Sequence, residues 1–161
     1  MSPNALTSTV TVERLAAPDL VAMAQCIAID VNAFPYPSSR FVLRSASSPV
    51  WVARRDGEAR VLGFLAAGVH RGRDLYVEGL ATTTGARRNG IGQALVRAAI
   101  AFAREGRADT ISLHVWTGNE AAIGLYRSEG FDVRLLVAAY YRPGIFATAD
   151  AYRMVRIVDR P

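Results

Sequence analysis

The chain has 161 residues, 51% hydrophobic and 20% charged. That balance suits one folded domain with a sizeable core and excludes a disordered chain. The formal charge is +5 and all 19 basic residues are arginine, with no lysine anywhere, which excludes Schiff-base chemistry and a lysine nucleophile or base.

Residues 1–8 show no basic start followed by an apolar block, so they read as a flexible end rather than a signal peptide. TVTVERL, residues 9–15, alternates and predicts a strand. APDLVAMAQCIAIDVNAF, 17–34, has an acidic start and helical apolar spacing, which predicts a helix. It carries the one cysteine, Cys26, read as a buried structural thiol that fits a reducing cytoplasm. PYPSSRFVLRSASSP, 35–49, is rich in Pro and Ser and reads as a loop with room for a short helix. Residues 50–70 predict a hairpin turning at Arg55-Asp56-Gly57-Glu58. DLYVEGLATT, 74–83, is a further strand.

Apolar residues at Ile91, Leu95, Ala98, Ala99 and Phe102 predict a helix over 90–104, with Gly106 as its stop. TISLHVW, 110–116, is a strand, and NEAAIGLYRSEG, 119–130, is a short helix closed by Gly130. FDVRLLVAAYY, 131–141, and AYRMVRIV, 151–158, are two final strands. The expected order is βα(α)βββαβαββ, in one domain over residues 1–161. Three early strands form an antiparallel meander. Strand 74–83, helix 90–104 and strand 110–116 make one right-handed βαβ crossover with its strands as parallel neighbours. No apolar run reaches the ~18 residues a membrane span requires. The arginines are scattered without a long basic block, so neither a membrane nor nucleic acid is an expected partner.

In ARRNGIG, 86–92, Gly90 and Gly92 stand at the start of the crossover helix. Free first-turn N–H groups and the positive dipole end can hold phosphate there, and glycine lets it approach. Arg87 and Arg88 add charge. A glycine-softened turn explains the same residues without any ligand. A dinucleotide-binding fingerprint fails, because Leu95 stands where a small residue is needed and the strand does not open the domain.

GLATTTGARRNGIGQALV, 79–96, followed by NEAAIGLYRSEGF, 119–131, resembles the acetyl-CoA site of the GNAT superfamily of N-acetyltransferases. The superfamily motif is Arg or Gln, two residues, Gly, one residue, then Gly or Ala, met here by Arg87, Gly90 and Gly92. The resemblance covers about residues 9–158. It implies an α/β fold with a mixed, mostly antiparallel sheet, splayed at its one parallel strand pair and flanked by helices. It also implies acetyl-CoA as co-substrate, held by loop amides over Arg87, Arg88, Asn89, Gly90, Ile91 and Gly92 at the pyrophosphate. Pantetheine is expected along Leu80, Ala81 and Thr82. A Val common at the position of Thr82 and a Pro common at that of Thr84 are absent, which alters packing more than chemistry. Asn119, otherwise a helix cap, is expected to face pantetheine. Tyr126, otherwise core, is expected to reach the CoA sulfur and protonate the thiolate.

An amine must lose a proton before it attacks a thioester. Strand alternation groups Ser112, His114 and Trp116 on one face. Tyr76, Glu78, Leu80 and Thr82 share a face of the other strand, allowing for a bulge. LYVEGL, LHVWTGNEAAIGLYRSEGF and AAYYRP…ADAYRM are similar to protein Nα-acetyltransferases of the bacterial RimI type and the eukaryotic NatE catalytic-subunit type. That similarity implies Tyr76 and His114 as a joint base; the RimI type has Glu at His114, so the chain follows NatE there. It implies an acceptor slot formed by Phe34, Pro35, Tyr36, Tyr140 and Tyr141. Glu78 is the rival base, with an arginine-paired carboxylate as the bland reading. His70 lies in a polar turn and reads as merely exposed, and Trp116 reads as ordinary burial or as a wall of the cleft.

The expected activity is acetyl transfer from acetyl-CoA to a protein or peptide N-terminus. A small-molecule amine acceptor is the alternative, and a non-catalytic acyl-CoA-binding module the third. No metal is expected, because two lone histidines and one cysteine supply no ligand cluster.

Overall fold

The computed structural model describes residues 9–15, 19–34 and 48–159. Its elements in order are β1 Val10–Arg14, α1 Leu20–Ala33, β2 Val50–Arg55, β3 Val61–His70, β4 Asp74–Thr82, α2 Ile91–Phe102, β5 Thr110–Trp116, α3 Glu120–Ser128, β6 Asp132–Val137 and β7 Ala151–Ile157. A short 3-10 turn at Thr84–Ala86 precedes α2. The seven strands form one sheet in the order β1-β2-β3-β4-β5-β7-β6. Every neighbouring pair is antiparallel except β4 with β5. This is the splayed mixed sheet expected of a GNAT fold.

Local chemistry sets the element ends. The Asp19 carboxylate accepts from Ala22 N–H at 2.9 Å and caps α1. The β2–β3 turn falls at the expected residues, with Glu58 N–H donating to Arg55 C=O at 3.0 Å. The crossover helix is shorter than 90–104. It loosens into a wide turn over Ala103–Arg107, where Gly106 takes φ 82°. Strand β6 ends at Val137 instead of running to Tyr141. Ala139 turns the chain with φ 54°, and its N–H is held by the Asp150 carboxylate at 2.9 Å. Pro35–Ser47, including the expected loop or short helix, lies outside the described residues.

Each face of the sheet carries its own core. Leu95, Val96, Ala99 and Ile100 of α2 and Ile123 and Tyr126 of α3 pack on Leu65, Leu75, Ile111, Leu113 and Met154. On the opposite face Ala22, Met23, Cys26 and Ile29 of α1 cover Val50, Val52, Phe64 and Ala66. Fully burying one such aliphatic side chain is worth roughly 1.5–3 kcal/mol, so both layers hold the sheet firmly. Burial, then Asp19 nearby, pushes the Cys26 thiol up to about 12, and it stays an inert core group. Among the described residues no helix is long and apolar enough to cross a membrane.

Candidate active site

β4 and β5 are in register only over Asp74–Thr110, Leu75–Ile111 and Tyr76–Ser112. Beyond Tyr76 the strands part. From Val77 onward the edge of β4 facing β5 carries backbone groups with no strand partner in that register. At the same place the β3–β4 register slips, with Ala66 opposite Gly79 but Ala67 opposite Val77. Glu78 is the extra residue of this bulge. Downstream of it Leu80 packs on the α2 side and Ala81 on the α1 side. Leu80 therefore does not share the face of Tyr76 and Glu78, because one inserted residue reverses the alternation.

A cavity of about 540 Å³ fills the split. It reaches both faces of the sheet. Ala33 at the end of α1 and Phe34 just after it line it from one side, Asn119, Ala122 and Tyr126 from the other, and Tyr76 and His114 also line it. The Tyr76 hydroxyl lies 2.9 Å from His114 Nδ1 and 3.4 Å from the Tyr140 hydroxyl. The Tyr140 ring stacks on the His114 imidazole at 4.4 Å and 12°, fixing its plane. Burial, then the hydrogen bond to Tyr140, raises the Tyr76 pKa far above its usual value. Burial also raises Tyr126, with Tyr141 adding to it. Burial therefore keeps both side chains as protonated phenols, each with a proton to give. Burial, then the Arg153 charge, lowers the His114 pKa, which favours the neutral imidazole that can accept a proton.

The other expected residues distribute as follows. Glu78, Leu80, Tyr140 and Tyr141 line the same cavity. Asn119 caps α3, accepting from Ala122 N–H at 3.2 Å, and also lines the cavity. Thr82 and Arg87 line a separate cavity of about 510 Å³ beside α1. Ala81 and Ile91 are buried core side chains, so only their backbones can serve a ligand. Pro35 and Tyr36 lie outside the described residues.

Gly90 is the residue before α2, at φ 73°, and no side chain caps that helix. A Cβ on Gly90 would meet nothing within 4 Å. The space above the first turn is thus open for an anion, with unshared N–H groups aimed at it. This loop and the unpaired edge of β4 suit the diphosphate and amide arm of CoA. Gly92 has a packing reason as well, since a Cβ there would come within 3.2 Å of Leu125.

Sequence reading gave no site role to several lining residues, Asp30, His70 and Phe146 among them. His70, though exposed, ends β3 at its rim, 5.3 Å from the Tyr76 ring. Asp30, at 1% exposure, lines it one helical turn before Phe34. Phe146 stacks on Trp116 at 4.5 Å, making Trp116 a wall of the cavity rather than ordinary burial. Trp116 Nε1–H also donates to Thr148 C=O at 3.0 Å, tying the β6–β7 loop over the site. Only the spacing Asp30-x3-Phe34 gave a local signal, since i and i+4 share a helix face.

Residues 19–131 match the family model described as Acetyltransferase (GNAT) family. Over 67 residues the chain is 46% identical to N-alpha-acetyltransferase RimI of Mycobacterium tuberculosis, a match that spans 42% of this chain and 39% of that protein. The fold superposes on the ribosomal-protein-S18-alanine N-acetyltransferase of Escherichia coli with TM-score 0.80 and 22% identity, covering 95% of this chain and 96% of that one. It also superposes on a chain of a NatC complex bound to Gag peptide and CoA, with TM-score 0.79 and 21% identity, over 93% and 99% of the two chains.

Proposed function

The chain belongs to the GNAT acetyltransferase family, and from that premise we propose that it moves acetyl from acetyl-CoA to the α-amine of a protein or peptide N-terminus. The observation that carries this reading is the cavity at the split in the sheet, lined from α1 on one face and α3 on the other, with Tyr76 and His114 both in its lining. Donor and acceptor meet there from opposite sides. The likeness to an N-alpha-acetyltransferase over 67 residues supports the acceptor class.

The amine attacks the thioester carbonyl directly. Its proton passes to the Tyr76 oxygen while the Tyr76 proton moves to His114 Nδ1, along the 2.9 Å contact. Tyr126, kept protonated by burial, supplies a proton to the departing thiolate. The backbone amides of the Arg87–Gly92 turn would hold the diphosphate. Phe34, Tyr140 and Tyr141 bound the acceptor end. Acid–base energetics favour an α-amine, with a pKa of about 8, over a lysine amine near 10.4. The difference of about 2.4 units makes deprotonation about 3.3 kcal/mol easier.

A panel of peptides and small amines, each offered with acetyl-CoA while CoA release is followed, tests the acceptor. Turnover of free-N-terminal peptides is expected. Turnover with small amines alone would replace the peptide by a small-molecule acceptor, and tight acetyl-CoA binding with no transfer would make the chain a binding module.

The pH profile is a second test. The base must be unprotonated, so kcat/KM rises with pH through the His114 pKa, which burial and then Arg153 hold below the usual value. Arg153→Gln removes the second cause. The acidic limb is expected to move to higher pH, and an unmoved limb would show that His114 does not set it.

A further inference from the structure

We propose that Asp74 is the positioning residue for the Tyr76–His114 pair, acting through Ser112 and Thr110. This inference rests on the base assignment above. The Thr110 hydroxyl donates to Asp74 Oδ1 at 2.7 Å, and the Ser112 hydroxyl donates to Asp74 Oδ2. One carboxylate at the start of β4 therefore grips two successive same-face side chains of β5.

The register explains what this grip controls. Asp74 is opposite Thr110, and Tyr76 is opposite Ser112. The Asp74–Ser112 bond thus reaches one same-face position forward on β5. The Tyr76–His114 contact makes the same forward step from the next rung. All four residues lie on one face of the strands. Tyr76–Ser112 is the last registered pair, so no β4–β5 backbone ladder restrains His114 relative to Tyr76. His114 is instead paired on its other side with Arg153 of β7. The Asp74 clamp ties β4 to β5 over the last registered rungs, where it would set how far apart the two strands begin to diverge. Ser112, at 1% exposure, has its hydroxyl committed there.

The neighbours bear on the choice of test. Asp74 adjoins the Arg73–Asp109 ion pair, whose Nε–Oδ2 distance is 2.9 Å. His114 is faced by Tyr76 from β4, by Tyr140 from the β6–β7 loop and by the Arg153 charge from β7. Ser112→Ala leaves all of these in place and removes only one arm of the clamp. Asp74→Asn keeps the size of the side chain and gives up its charge.

With only two histidines in the chain, the imidazole 15N signals of labelled protein are readily assigned, with His70→Gln identifying one of them. In Ser112→Ala and Asp74→Asn the His114 Nδ1 signal is expected to move, as its hydrogen bond to Tyr76 lengthens. A fall in kcat of about 10- to 100-fold is expected, the scale of an ångström-sized misplacement, with KM for acetyl-CoA unchanged and the acidic limb of the pH profile displaced. A merely structural clamp would lower thermal stability and leave the His114 signal and the pH profile in place. That result overturns the proposal. If the His114 signal moves in both variants while His114→Ala turns over normally, the positioning stands and the base assignment falls.

Discussion

Replacing His114 with alanine is expected to lower kcat by about 10²- to 10⁴-fold, the range for losing a positioned general base. Affinity for acetyl-CoA is expected to stay nearly unchanged. Three features make this the largest catalytic effect. The imidazole Nδ1 stands at the end of the 2.9 Å contact from the Tyr76 hydroxyl, where the proposed mechanism delivers the proton. Its lowered pKa, from burial and then Arg153, keeps it neutral when the acceptor arrives. Its plane is set by the stacked Tyr140 ring. The proposed diphosphate cradle belongs to another element, the turn before α2, so donor binding is expected to be spared. Steady-state kinetics with a peptide acceptor, beside calorimetric titration with acetyl-CoA, separates the two quantities. Wild-type kcat in this variant would take His114 out of the mechanism and move the base role to Glu78, which lines the same cavity.

The largest effect on binding is expected from Gly90→Glu. Two penalties act together. The backbone at Gly90 has φ 73°, a left-handed conformation that costs other residues roughly 1–2 kcal/mol. The new carboxylate would also project into the open space above the first turn of α2, against the diphosphate. Losing about two charge-assisted hydrogen bonds corresponds to a fall in affinity of roughly 10²-fold or more. Gly90→Ala divides the causes, because its Cβ meets nothing within 4 Å and carries only the backbone penalty. Calorimetry is expected to rank wild type above Ala and Ala far above Glu. Equal affinities for wild type and Glu would refute the cradle.

Much of the fold was legible because its signals are local. Helical spacing marked α2, and Asp19 marked the start of α1. Alternation gave β5 within its observed bounds, and the crossover of β4, α2 and β5 fixed the one parallel pair. The left-handed turns at Gly57, Gly106 and Gly130 fall at the expected residues. The overruns have local causes too, but ones that involve a distant partner. The strand expected through Tyr141 stops at Val137 because Asp150, eleven residues on, holds the Ala139 turn. Alternation misplaced Leu80 because pairing with β3, not the β4 sequence, decides where the bulge falls.

The sequence by itself determined the order of elements, the left-handed glycine turn before α2 and the family, since each rests on residues close together in the chain. Only the tertiary structure decided that β7 lies between β5 and β6, that the sheet opens beyond Tyr76, and that Tyr76, His114 and Tyr140 meet. It also brought His70, Asp30 and Phe146 to the same cavity, where sequence patterns gave His70 no role beyond exposure. The physical reason is that a side chain's face follows from the local backbone period, whereas its neighbour across a strand follows from register. Register is set by bulges, clamps such as Asp74, and the packing of both cores at once.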